Sequence, residues 1–101
     1  MTDATRIEVA DSLDRLANIE DWDKEVWRRC YDLVSANLDD ELLAYVHDDL
    51  VHCTGVRFFD SIFKKNPKPP DFRSYQAEFG ELATALRSGM LLKQFKRDFG
   101  R

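Results

Sequence analysis

The sequence predicts an all-α fold, a compact orthogonal bundle of five or six short helices. Apolar residues recur at helical spacing along almost the whole chain, and no convincing run alternates as a half-buried strand does. The 101 residues match the usual size of one domain, and 44% of them are hydrophobic, which is enough for one core. No internal repeat points to a solenoid. We therefore predict a single helical domain over residues 1–101.

The first three helices are predicted at residues 3–17, 21–36 and 39–55. Asp21 and Asp39 open the second and third helices with carboxylates at the positive end of the helix dipole, and Gly55 ends the third. Each helix carries one apolar stripe at helical spacing. The residues predicted to face the core are Val9, Ala10, Leu13, Leu16 and Ala17, then Trp22, Val26, Cys30, Leu33 and Val34, then Leu42, Leu43, Val46, Leu50 and Cys53.

A fourth, shorter helix is predicted at residues 56–65, followed by a Pro-rich linker at residues 66–70. Four apolar residues spread over nearly half the circumference of this helix, which favours a central or interfacial position. In the linker, Pro67, Pro69 and Pro70 remove backbone donors and favour extended conformations. The linker with its preceding lysines also matches an extended recognition motif, but a connection between helices explains the same prolines.

The fifth helix is predicted to start at the N-cap Asp71 and to end at Ser88 and Gly89. Its inward stripe comprises Phe72, Tyr75, Phe79, Leu82, Ala83 and Leu86. The sixth segment, residues 90–99, is predicted to be an amphipathic helix. It places Leu91, Phe95 and Phe99 on one side and Lys93, Arg97 and Arg101 on the other.

The charge of the chain reverses halfway along it. Residues 1–50 hold 14 acids against 5 bases, whereas residues 51–101 hold 5 acids against 10 bases. Opposite charges on two surfaces steer association but do not identify a reaction. Because such halves can pair with each other, the pattern favours binding to a protein partner or self-association as a homodimer.

No residue pattern predicts an enzyme, a metal site or a cofactor. His52 lies within one turn of Asp48 and Asp49, but no nucleophile or oxyanion donor accompanies it, so a surface ion pair is the simpler interpretation. His47 and His52 are five residues apart and diverge on a helix, which disfavours a shared metal. The four glycines stand singly, and this pattern disfavours phosphate loops. We therefore expect a protein that is not an enzyme.

Localisation follows from the cysteines and the apolar runs. Cys30 and Cys53 have no framework spacing and are predicted to be buried thiols in a reducing compartment. No apolar run approaches the ~18 residues of a membrane span, and the first residues lack the features of a signal peptide. We therefore expect a soluble cytoplasmic protein that does not bind membranes.

Two aromatic residues on the second helix are the predicted contact with a protein partner. Trp27 and Tyr31 lie one turn apart, beyond the stripe set by Trp22, and Arg28 lies beside them. Tryptophan, tyrosine and arginine are enriched among the residues that dominate binding at interfaces. The alternative is a wide stripe that two neighbouring helices bury.

Nucleic-acid binding is the alternative function. The basic second half supports it, and its last helix carries the candidate residues Lys93, Lys96, Arg97 and Arg101. The chain as a whole has a pI near 5.1, so its acidic half would repel a polyanion. Protein binding is therefore the preferred prediction.

Overall fold

The chain folds into a helical bundle in which, among the described helices, Asp3–Asn18 and Phe72–Arg87 make the most extensive contact. The computed structural model describes residues 3–54 and 72–99. Within these residues the helices are α1 (Asp3–Asn18), α2 (Lys24–Ser35), α3 (Glu41–Thr54), α4 (Phe72–Arg87) and α5 (Leu92–Asp98), without a strand. The all-α prediction is confirmed. The predicted helix at residues 56–65, the linker at residues 66–70 and the caps Gly55 and Asp71 lie outside the described residues.

Helices α1 and α4 run antiparallel. Near the start of α4, the Gln76 side-chain nitrogen donates hydrogen bonds to the backbone carbonyls of Leu16 at 3.1 Å and Ile19 at 2.9 Å. Near the end of α4, the Arg87 guanidinium pairs with Asp11 at 2.7 Å. Because Asp11 lies earlier in α1 than Leu16, these contacts fix the direction of the pair.

Helix α2 starts later than the sequence predicts. Asp23 is its N-cap, and the carboxylate accepts hydrogen bonds from the N–H groups of the second and third helical residues at 3.0 and 3.2 Å. The predicted cap, Asp21, is therefore wrong by two residues. Trp22 lies before the helix, where its ring packs 5.6 Å from that of Phe72, and this tertiary contact places the start of α2 after Trp22.

Helix α3 is capped by Asp40. Its Oδ1 atom accepts hydrogen bonds from the backbone N–H groups of Leu42 at 2.9 Å and Leu43 at 3.3 Å. The sequence predicts Asp39 as the opening residue, one position too early. Both neighbours are aspartates with equal capping propensity, so a contact from another helix must distinguish them.

That contact is a buried ion pair from α1, which we call the Arg6–Asp40 clasp. The Arg6 guanidinium donates to both carboxylate oxygens of Asp40, at 3.0 and 3.2 Å, and to the backbone carbonyl of Met90 at 2.9 Å. Both side chains are about nine-tenths buried. The clasp therefore joins the start of α1, the start of α3 and the turn between α4 and α5.

Helix α4 ends in a glycine turn at the predicted position. Gly89 has φ +72°, its N–H donates to the carbonyl of Leu86 at 3.3 Å, and the N–H of Met90 donates to the carbonyl of Ala85 at 3.0 Å. This pair of hydrogen bonds is the Schellman motif, which needs a left-handed residue. The termination predicted at Ser88 and Gly89 is confirmed.

Gly89→Ala should lower the free energy of unfolding by about 1–2 kcal/mol, because an L-residue is strained in the left-handed conformation. An added Cβ would meet no atom within 4 Å, so the cost is purely conformational. The matched control is Gly80→Ala inside α4, which also has open space and should stabilise the helix by about 0.5–1 kcal/mol. Urea unfolding measures both, and shifts of the same sign would contradict the assignment.

Helix α5 starts at Leu92, two residues after the predicted start. Leu91 is its N-cap in an extended conformation and is 69% exposed, so its predicted inward position is wrong. Leu92 packs against the core instead, and Phe95 is fully buried. The Schellman turn moves the helix start past Leu91 and thereby changes which leucine faces inward.

One cluster of buried side chains joins the described helices. The residues predicted to line α1, α3 and α4 account for most of it, and Ala17 and Tyr75 are partly buried at its margin. No helix in residues 3–54 and 72–99 combines the length and the apolar character needed to cross a bilayer. The buried hydrophobic residues of the described chain are Val9, Ala10, Leu13, Leu16, Val26, Trp27, Cys30, Tyr31, Val34, Leu42, Leu43, Val46, Leu50, Cys53, Phe72, Phe79, Leu82, Ala83, Ala85, Leu86 and Phe95.

Candidate functional site

The aromatic residues predicted to contact a partner lie inside the protein. Trp27 is 2% exposed and Tyr31 is 8% exposed, whereas Arg28 points to solvent. The prediction of an exposed aromatic edge is wrong, and the alternative of a wide buried stripe describes α2. The reason is that α2 packs against both α1 and α3 and therefore buries two adjacent rows of side chains.

The two buried aromatics belong to a continuous row of rings that crosses three elements. Measured between ring centres, Trp22 lies 5.6 Å from Phe72 and 6.4 Å from Trp27. The Trp27 ring stacks on that of Tyr31, with 5.3 Å between their centres. The Tyr31 ring in turn lies 5.1 Å from that of His47 on α3. This aromatic row ties α2 to α3 and α4, so it supports the fold from within.

The predicted basic surface is exposed on α5. Lys93, Lys96 and Arg97 all reach solvent. The Lys96 ammonium lies 5.9 Å from the centre of the Tyr45 ring, and Arg97 lies 3.5 Å from Asp98. Arg101, the fourth predicted residue, lies outside the described residues. The described part of this surface is short, since α5 has seven residues.

The histidines do not come together. His52 is exposed, whereas His47 is half-buried against Tyr31, and its Nδ1 atom lies 3.6 Å from the carboxylate of Asp48. Among the residues that the structure describes, no three histidine, cysteine or acidic side chains are arranged to hold a metal ion.

The two cysteines are buried and not joined in a disulfide, as the sequence predicts. Burial raises the pKa of the Cys30 thiol to about 12, because the low-dielectric core disfavours the thiolate. A thiol that stays protonated at neutral pH is a poor nucleophile and a poor metal ligand. Cys30 therefore fills space in the core.

The exposed apolar surface is concentrated at one end of the bundle. Ile7, Leu38 and Leu91 are the large hydrophobic side chains that the described residues leave exposed, at 48%, 48% and 69%. Ile7 follows Arg6, Leu91 follows Met90, and Leu38 precedes Asp40 by two positions. Each residue is therefore within two positions in sequence of a residue of the clasp, and we call the three together the end patch.

Two grooves open beside the clasp. One, of about 290 Å³, lies between the start of α3 and the start of α5 and is lined by Arg6, Asp39, Glu41, Leu91 and Leu92 among others. The second, of about 310 Å³, lies between α1 and the Schellman turn, where Ile7 lines it. Arg6 borders both grooves. Leu91 and Ile7 of the end patch therefore border two separate grooves that share Arg6.

Charged side chains surround the end patch. Asp39 and Glu41 are exposed at the start of α3, and Lys93 is exposed one residue beyond Leu92 on α5. Within the described part of the chain, none of these three side chains forms an ion pair. Exposed apolar residues with exposed charged neighbours are typical of protein interfaces.

The sequence does not predict the end patch. Ile7 and Leu38 are single apolar residues off the helical stripes, and such residues are common on protein surfaces. Only the clasp, which depends on contacts between distant parts of the chain, brings them beside Leu91. The available signal was the poor fit of Ile7 to the stripe of α1.

Comparison of the chain with protein-family models, curated proteins and solved structures finds no match in any of the three. The candidate site is therefore assigned from the geometry of this chain alone.

Proposed function

We propose that this chain is a non-enzymatic protein-binding module and that the end patch is its contact surface. The observation that carries the proposal is that Ile7, Leu38 and Leu91, the large hydrophobic side chains exposed in the described residues, belong to the three segments that the clasp joins. Exposed hydrophobic residues scattered singly need no explanation, whereas a contiguous patch with a polar rim marks an interaction site. The clasp also holds the patch rigid, so little conformational freedom is lost on binding.

Nucleic-acid binding through α5 is the second candidate function. It is supported by the exposure of Lys93, Lys96 and Arg97 on one short helix. Three bases on two turns of helix contact few phosphates, and the exposed acids Asp39 and Glu41 lie across the groove from the start of α5. Protein binding is therefore the function we favour.

We also propose that the protein works in the cytoplasm. Cys30 and Cys53 are buried thiols that are not joined in a disulfide, which suits a compartment that keeps thiols reduced.

A photoreactive amino acid that replaces Leu91 should crosslink the protein to a protein partner in the cells that make it. The same group in place of Arg28, which is exposed on the outer face of α2, is the matched control and should give no specific adduct. Denaturing gels and mass spectrometry detect the products with and without nuclease treatment.

Equal adducts from both positions would contradict the proposed surface. A nuclease-sensitive adduct would favour the nucleic-acid alternative instead. Adducts from the Arg28 position alone would show that the partner contacts the face of α2 that the sequence predicts.

A further inference from the structure

The end patch carries opposite charges on its two sides. Asp39 and Glu41 line the α3 side of the groove, whereas Lys93 is exposed on α5 directly after Leu92, which lines the other side. All three charged side chains are exposed and form no ion pair within residues 3–54 and 72–99. A surface with an apolar centre, acids on one side and a base on the other is complementary to itself after a half-turn.

We infer that the partner of the end patch is a second copy of this chain, related by a two-fold axis through the patch. This inference rests on the proposed function of the patch. In such an isologous pair the apolar side chains of the two copies meet at the centre. Asp39 and Glu41 of each copy face Lys93 of the other, so every charge contact occurs twice.

The size of the patch determines the strength of this dimer. Three projecting side chains cover much less than the ~800 Å² that each partner contributes to a typical stable interface, so the charged rim must supply part of the contact. Rim charges act mainly on encounter and specificity, and salt screens them. The dimer is therefore weak, forms at micromolar or higher concentration and dissociates as ionic strength rises.

A charge-swap experiment tests the pairing. The first variant, Lys93→Glu, makes both sides of the patch acidic. The second, Asp39→Lys with Glu41→Lys, makes both sides basic and leaves the Arg6–Asp40 clasp intact. Sedimentation velocity over a concentration series measures the mass of each protein alone and of an equimolar mixture.

Each variant alone should show a dimer dissociation constant raised about tenfold or more, because two repulsive contacts replace two attractive ones. The mixture should restore dimers. Asp39 and Glu41 of the first variant then face Lys93 of the second, and the carboxylate introduced at position 93 of the first faces the two lysines introduced into the second. Arg28→Glu is the matched control, which changes one exposed charge on α2 and should leave the dimer unchanged.

Two results would overturn the inference. One is a dimer that neither charge variant weakens, or that the mixture fails to restore, because the contact then lies elsewhere. The other is a monomer at every concentration. If a protein other than this chain is crosslinked through position 91 in that case, the second-copy inference fails while the proposed function stands. If position 91 gives no adduct either, both fail.

Discussion

Trp27→Ala should lower the free energy of unfolding by about 3–5 kcal/mol, because it removes a fully buried ring and leaves a cavity. Trp27 is the middle of the aromatic row, with Trp22 on one side and Tyr31 on the other. Its loss separates the contacts that tie α2 to the rest of the bundle. Since a domain of this size is stable by only about 5–15 kcal/mol, the variant should be close to unfolding.

Urea denaturation measures this effect as a lower transition midpoint at an unchanged slope. Arg28→Ala, the adjacent exposed position, is the matched control and should change stability by less than about 0.5 kcal/mol. Trp22→Ala should cost less than Trp27→Ala, because Trp22 is only partly buried. A Trp27→Ala protein of normal stability that no longer binds its partner would show that Trp27 is an interface residue.

Asp40→Ala should also destabilise the protein by about 3–5 kcal/mol, since it leaves the buried Arg6 guanidinium without its counter-charge. The same substitution removes the N-cap of α3, which contributes about 1 kcal/mol of the loss. Asp40→Asn separates the two effects, because an amide oxygen can still cap the helix but carries no charge. Relative to Asp40→Ala, Asp40→Asn should restore only the smaller loss of stability, which comes from the N-cap.

A double-mutant cycle isolates the clasp itself. Arg6→Leu combined with Asp40→Asn should cost less than the sum of the two single variants, because the double variant leaves no buried charge unpaired. Asp39→Ala is the control at the exposed neighbour and should have little effect. Additive losses around the cycle, measured by urea unfolding, would mean that Arg6 and Asp40 do not stabilise each other.

Local sequence is sufficient to predict α1, α4 and the body of α3. Their stripes have helical spacing, and Gly89 is the residue that the left-handed turn after α4 requires. The predicted start positions are wrong where either of two aspartates could cap the helix. Asp40 is selected over Asp39 by Arg6, which lies 34 positions earlier in the chain, and Asp23 is selected over Asp21 by the packing of Trp22 on Phe72. The start positions of both helices are therefore set by contacts between distant parts of the chain.

The candidate site was less predictable than the fold. Trp27 and Tyr31 have the composition of an interface, yet two neighbouring helices bury them. Composition alone does not distinguish a buried stripe from an exposed one when a helix has more than one neighbour. Leu91 is exposed because the turn at Gly89 shifts the start of α5 by two residues, which no periodicity in the segment reveals.

The central claim is that two copies of the protein associate through the end patch and not through the outer face of α2. Backbone amide spectra of the isotope-labelled protein, recorded as it is diluted from millimolar to micromolar concentration, test this claim most directly. We predict concentration-dependent shifts at Ile7, Leu38, Leu91 and Lys93, and none around Arg28. Shifts confined to the face of α2 around Arg28, or spectra that do not change with concentration, would contradict the account.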